Sequence, residues 1–150
     1  INSFPNKIIN VHLGISPYYF GSGTNYHCLV NNELQFEGYT FMYIDEGIDT
    51  GEIIHQRRAT FLPFDNPHQV GTRLIKDMSR DFVKLIKNFD KVKKTKVKNK
   101  HIGRTYKNKD ASIERTEKLY QNFKDGCVFR YLSKKDEIDS KYPLITQDFM

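Results

Sequence analysis

No stretch of this 150-residue chain is apolar for long enough to cross a bilayer, and none has the charged, apolar and small-residue sections of a secretory signal. Cysteine is sparse: Cys28 and Cys127 form neither a metal-ligand spacing nor a disulfide framework. Together these absences point to a reducing cytoplasm, with no membrane partner and no metal site. No internal repeat recurs, and the length is that of one domain able to bury a core.

Acidic residues are missing from one place. The segment KVKKTKVKNK, residues 91–100, holds six lysines and no acid, and those lysines account for the whole net charge of +6. The basic character is therefore one local run rather than a face spread over the fold. No aromatic side chain interleaves with it, so a stacking platform for bases is not supported, and nucleic acid is not an expected partner. A solvated connector over 91–101 is the expected reading. It separates a core at 1–90 from a C-terminal helix and tail at 102–150.

What is present is aromatic and β-branched. With 11 Phe and 9 Tyr, the composition is not that of a disordered chain. Residues 7–12 (KIINVH) read as a strand buried on both faces of a parallel sheet. The glycines and proline of LGISPYYFGSG then break regular structure, and a short helix is expected over 24–31 with Thr24 as its cap. YTFMYID (39–45) and EIIHQRRATF (52–61) read as strands around the turn EGIDTG. Asn66 and Pro67 open an amphipathic helix whose apolar stripe runs from Val70 to Phe89. A second helix is expected over 112–124, stopped by Gly126, and CVFRYL (127–132) as a short strand or extended tail. Strand, helix and strand with loop-rich connections predict an α/β domain. A fully buried strand so near the first residue implies that further strands are needed beside it.

Ligands of parallel-sheet domains bind outside the carboxyl ends of the strands. Asn10 and His12 are two apart on the first strand and so share a face. Asp49 lies in the turn between the next two strands, flanked by Gly47 and Gly51. An amide, an imidazole and a carboxylate converging on one cleft suit acyl transfer to an amine. The amide donates to a developing oxyanion, the imidazole moves a proton, and the carboxylate fixes its tautomer and raises its pKa. Tyr18, Tyr19 and Phe20 follow His12 and either flank a ligand ring or anchor the loop. His27 and Cys28 read as packing residues, and His55 as a surface or partly buried one. Arg57 and Arg58 point to opposite faces of one strand, so at most one reaches a substrate.

NVHLGISPYYFG (10–21) and GYTFMYIDEGIDTGEIIHQ (38–56) resemble the two signatures of the folate-dependent formyltransferases, the family that acts on glycinamide ribonucleotide, methionyl-tRNA and nucleotide sugars. The resemblance is dense from residue 8 to 56 and loose beyond. It implies a Rossmann-like formyltransferase fold, incomplete because that family's N-terminal half is not found before Asn10. It further implies Asn10, His12 and Asp49 as catalytic residues. Tyr43, Asp45, Glu46, Gly47 and Ile48 would form the pterin site of 10-formyltetrahydrofolate, with Tyr18 and Tyr19 at the acceptor. Gly14 stands where many members carry a serine, and Tyr106 is faintly similar to a base-stacking aromatic of nucleotide-sugar members. The implied reaction is formyl transfer to a primary amine. An amino sugar on a nucleotide is the first expectation and glycinamide ribonucleotide the alternative; a non-catalytic binding relative is a third reading. An exposed sheet edge would also favour association, a homodimer included.

Overall fold

The computed structural model describes residues 8–95 and 102–150. Three strands form the main sheet: β1 (Ile9–His12), β3 (Gly38–Tyr43) and β4 (Ile53–Arg58), in the order β1-β3-β4. Between β1 and β3 lie a three-residue strand β2 (Tyr19–Gly21) and the helix α1 (Thr24–Val30). The helix α2 (Pro67–Lys87) follows β4. Beyond it come β5 (Arg104–Tyr106), which pairs in parallel with β2, and the helices α3 (Ile113–Lys124), α4 (Cys127–Ser133) and α5 (Lys135–Ser140).

The main sheet is antiparallel at both of its pairings, not parallel as the apolar run of β1 suggested. β3 is the strand with all six residues buried, whereas Ile9, Asn10 and Val11 of β1 are only half-buried. A β-branched run cannot reveal strand direction. The nine residues joining β3 to β4 can, because a parallel return needs a crossover of a dozen or more residues.

α2 forms as its sequence dictates. Asn66 accepts from the Gln69 amide at 3.0 Å while the Gln69 side chain takes the Asn66 amide at 2.9 Å, a complete capping box with Pro67 at the first helical position. Val70, Leu74 and Leu85 are buried, and Phe82 meets the Phe41 ring edge-on at 5.6 Å. Ile75 and Ile86 of the same stripe remain exposed.

Two boundaries differ from expectation for local reasons. Gly23, in the left-handed region at φ 63°, occupies the cap position of α1, and the Thr24 hydroxyl instead donates to the Leu13 carbonyl. CVFRYL is helical rather than extended. Gly126, at φ 77°, restarts the chain, and Cys127, Val128 and Tyr131 are buried at helical spacing. The second half of the lysine run, 96–100, lies outside the described residues. Before it, the Lys93 amide donates to Gln147 at 2.9 Å and the Thr95 hydroxyl to Ile53 O at 2.6 Å. No helix among the described residues is long and apolar enough to cross a membrane.

Candidate active site

β1 places Asn10 and His12 on one face, and the loop from β3 to β4 brings Asp49 against them. Asp49 adopts φ 54°, a left-handed conformation that an aspartate tolerates better than most residues. Its Oδ1 accepts from Asn10 Nδ2 at 2.8 Å, and its Oδ2 accepts from the Gly21 amide at 2.9 Å. The same Oδ2 lies 3.3 Å from His12 Nδ1. On its other side His12 Nε2 meets the Tyr19 carbonyl oxygen at 2.9 Å. Three residues chosen from the sequence are thus in direct contact.

The electrostatics of His12 differ from the expectation. The ring is 4% exposed, and burial holds its pKa below the ordinary value despite the nearby Asp49 carboxylate and the Tyr19 carbonyl, which both act to raise it. Both ring nitrogens face acceptors. The Tyr19 carbonyl and the Asp49 carboxylate both only accept, so the single N–H of a neutral ring serves one of them and leaves a lone pair against the other. Only the imidazolium satisfies both neighbours, and burial opposes its charge.

A cleft of about 250 Å³ opens beside this contact. Asn10, Asp49, Tyr43, Asp45, Gly47 and Ile48 are among the residues lining it, with Thr50 and Gly51. Glu46 is exposed and not part of the lining, and His12 sits behind Asp49 rather than in the wall. Asp45 Oδ1 ties the loop by accepting from the Gly47 amide at 3.0 Å and the Thr50 hydroxyl at 2.6 Å. Gly51 is required there, since a Cβ would fall 1.6 Å from the Tyr43 carbonyl oxygen.

Tyr18 and Tyr19 are not brought to the cleft. Tyr18 stacks on Phe36 at 4.4 Å, while Tyr19 is 2% exposed and donates its hydroxyl to Glu33. Tyr19 acts on the site through its backbone carbonyl, which no side-chain reading could have found. Tyr106 is stacked on His27 at 3.9 Å, and its hydroxyl accepts from Asn31 at 2.9 Å. Cys28 is fully buried, with its thiol on Glu37 Oε2 at 3.0 Å. Both arginines of β4 are held in place: Arg57 by Asp81 at 2.8 Å, Arg58 by the Gln35 carbonyl at 2.9 Å and Asp139 at 3.4 Å. His55 is buried, not at the surface. Gly14 stands where many members of the family resembled carry a serine. The structure gives its reason: a Cβ there would lie 2.8 Å from both His12 Nε2 and Thr24 Oγ1.

The sequence and the fold have counterparts among known proteins. The family model described as formyl transferase matches residues 1–86, more than half of the chain. Over 74 residues, 49% of this chain, the sequence is 39% identical to a methionyl-tRNA formyltransferase of Solibacter usitatus. A chloroplastic phosphoribosylglycinamide formyltransferase of Arabidopsis thaliana is 22% identical over 90 residues, 57% of this chain and 31% of its own length. The chain spans only about a quarter of the Solibacter relative, 24% of its length. Among solved structures, it is similar to the formyltransferase PseJ of Anoxybacillus kamchatkensis, in complex with UDP-4,6-dideoxy-4-formamido-L-AltNAc and tetrahydrofolate. That likeness has a TM-score of 0.64 and 27% identity, covering 85% of this chain and 64% of PseJ. An N-formyltransferase of Helicobacter canadensis, in complex with folinic acid and dTDP-3-aminofucose, is similar at TM-score 0.60 and 27% identity, over 72% of this chain and 40% of its own. With the two signatures, the Asn10–Asp49–His12 contact and the family match in agreement, this chain belongs to the formyltransferase family.

Proposed function

We propose that the protein containing this chain transfers a formyl group from 10-formyltetrahydrofolate to the primary amine of a nucleotide-linked amino sugar. The observation that carries this reading is the Asp49 carboxylate, which touches Asn10 and His12 at once beside an open cleft. The cleft suits one end of the donor. Its volume is below the roughly 300–1,000 Å³ of a whole-ligand pocket, and its lining mixes apolar residues (Met42, Tyr43, Ile44, Ile48) with the polar Asn10, Asp45, Asp49 and Thr50, as a flat heterocycle with hydrogen-bonding edges requires.

The amine nitrogen attacks the formyl carbon, and the carbonyl electrons move onto oxygen. Asn10 spends one amide hydrogen on Asp49, which orients the other toward the cleft for that oxyanion. The proton shed by the attacking nitrogen leaves through cleft water to the Asp49–His12 pair. That pair is one proton short of satisfying both ring nitrogens, so it gains hydrogen bonding by accepting. Breaking the bond to N10 of the folate, with a proton returned to that nitrogen, releases the formamide and tetrahydrofolate.

The acceptor reading draws on where the likenesses extend. The PseJ likeness reaches over 85% of this chain, into the helices after α2. The methionyl-tRNA relatives match half the chain, the part that carries the shared signatures, and so bear less on the acceptor. The 39% identity of the Solibacter relative nonetheless keeps methionyl-tRNA as the second reading. Tetrahydrofolate release from 10-formyltetrahydrofolate, measured on the full natural protein with nucleotide-linked amino sugars, glycinamide ribonucleotide and methionyl-tRNA, tests both. Turnover with an amino sugar, lost in Asp49→Asn, is expected. Turnover with methionyl-tRNA alone would replace the acceptor, and none with any amine would remove the reaction.

A further inference from the structure

His12, Thr40 and Gln56 are successive register partners across all three strands of the main sheet. They therefore share one face, and they are 4%, 0% and 2% exposed. A row of three buried polar side chains across a sheet is costly unless their groups are used.

Here the groups grip the loop that follows His12. The Thr40 hydroxyl donates to the Gly14 carbonyl at 2.7 Å and accepts from the Ser16 amide at 3.2 Å. Gln56 Nε2 donates to the Ser16 carbonyl at 2.6 Å and to the Thr40 hydroxyl at 3.2 Å. The Ser16 hydroxyl itself finds no partner among the described residues, so it is the loop backbone that the row holds. That loop leads directly to the Tyr19 carbonyl on His12 Nε2. At its far end the row reaches the C-terminal segment. Gln56 Oε1 accepts from the Ile145 amide at 3.2 Å, and the Gln56 amide donates to the Ile145 carbonyl at 2.7 Å.

We propose that Thr40 and Gln56 are positioning residues for His12, and that the C-terminal segment at Ile145 supports the active site through them. Thr40 fixes the distance between β3 and the loop, Gln56 closes it from the next strand, and Ile145 fixes the Gln56 rotamer. His12 is thereby held against Tyr19 O and Asp49 by a chain of bonds that begins at the other edge of the sheet. Thr40, Gln56 and Ile145 do not line the cleft.

The proposal rests on the formyl-transfer reading, so its test has two independent readouts in the full natural protein. These are tetrahydrofolate release from 10-formyltetrahydrofolate and the NMR titration of His12. Thr40→Val keeps shape and removes the hydroxyl; it should slow release roughly ten- to hundredfold at little change in KM and displace the His12 titration. Thr40→Ser should restore both. Ile145→Pro removes the distal amide donor without touching the core and should shift His12 in the same direction by less. A wild-type rate and titration in Thr40→Val overturns the proposal, as does a Thr40→Ser variant as impaired as Thr40→Val. Should Thr40→Val fail to fold, an unmoved His12 in Ile145→Pro overturns it equally. If the wild type releases no tetrahydrofolate, the formyl-transfer reading fails, and the His12 titrations alone decide the row.

Discussion

The two faces of the main sheet come from the same three strands and are organised on different principles. One face carries Asn10, His12, Thr40 and Gln56, each bonded to a named partner, and it ends at the cleft. The other carries Tyr39, Phe41 and Tyr43 under α2, with polar groups gathered into one knot. In that knot Asp81 accepts from the Tyr39 hydroxyl at 2.5 Å and pairs with Arg57 at 2.8 Å. Burial alone would raise the Asp81 pKa, but the hydrogen bonds from Tyr39, Arg57 and Lys84 hold it below the ordinary carboxylate range. The first face gives up apolar burial for fixed geometry, and the second supplies the burial that the first forgoes.

If the division is real, substitutions on the two faces should fail in different ways. Asp49→Asn keeps the shape and the left-handed backbone but replaces an acceptor by a donor at a residue bonded to Asn10 and Gly21 and facing His12. Formyl transfer should fall by about three orders of magnitude while thermal unfolding moves little. An equal loss of stability and rate would erase the distinction. On the other face, Leu74 is 1% exposed, and Leu74→Ala should cost about 3 kcal/mol in urea unfolding. Turnover per folded molecule should be unchanged, and a drop in kcat there would tie α2 to the chemistry.

The difference between the faces also explains what could be read in advance. Asn10 and His12 were legible because a strand's period of two needs no tertiary knowledge. The α2 helix was legible from its cap, its proline and its stripe. Asp49 was legible from its turn between two strands and from the family signature together, whereas its contact depends on a left-handed backbone that spacing does not encode. For Tyr18 and Tyr19 the sequence left two readings open, because aromatic loop residues look alike whether they face ligand or core; Tyr18 stacks on Phe36 and Tyr19 is buried. Thr40 and Gln56 were passed over because isolated polar residues in strands read as surface. Strand direction and the helical state of CVFRYL depended on pairing and on Gly126, neither of which an apolar run reports.

A smaller change probes the polar face without altering its chemistry. Gly14→Ala adds a Cβ 2.8 Å from His12 Nε2 and from Thr24 Oγ1, in a segment whose carbonyl is already held by Thr40. Because the loop cannot retreat, the imidazole must. We expect kcat to fall roughly fiftyfold, with the affinity for the folate nearly preserved. Stopped-flow rates and equilibrium binding of 5-formyltetrahydrofolate separate these, and equal losses in both would mean that the loop, not His12, had moved.

The last contrast concerns two histidines, each 4% exposed, on opposite faces. His12 faces acceptors at both nitrogens. His55 accepts from the Gln147 amide at 3.3 Å through Nδ1, and its Nε2 has no partner among the described residues. Burial lowers the His55 pKa to about 4; Asp81 opposes this, and Arg57 and Lys84 add to it. A histidine whose folded pKa lies below its unfolded value of 6.5 contributes stability above that value. The contribution is lost as pH falls from about 6.5 toward 4, because only the unfolded chain takes up the proton there. Between pH 7 and pH 5 the loss from His55 should be about 2 kcal/mol. In His55→Phe the acid-side decline in stability should be shallower than in the wild type by that amount, measured by urea unfolding at both pH values. Other titrating groups, Glu37 and His12 among them, cancel in the comparison of variant with wild type. A parallel decline in both proteins would mean that His55 is charged in the folded state and belongs to the Asp81 knot. The α2 face would then hold a buried cation beside Asp81.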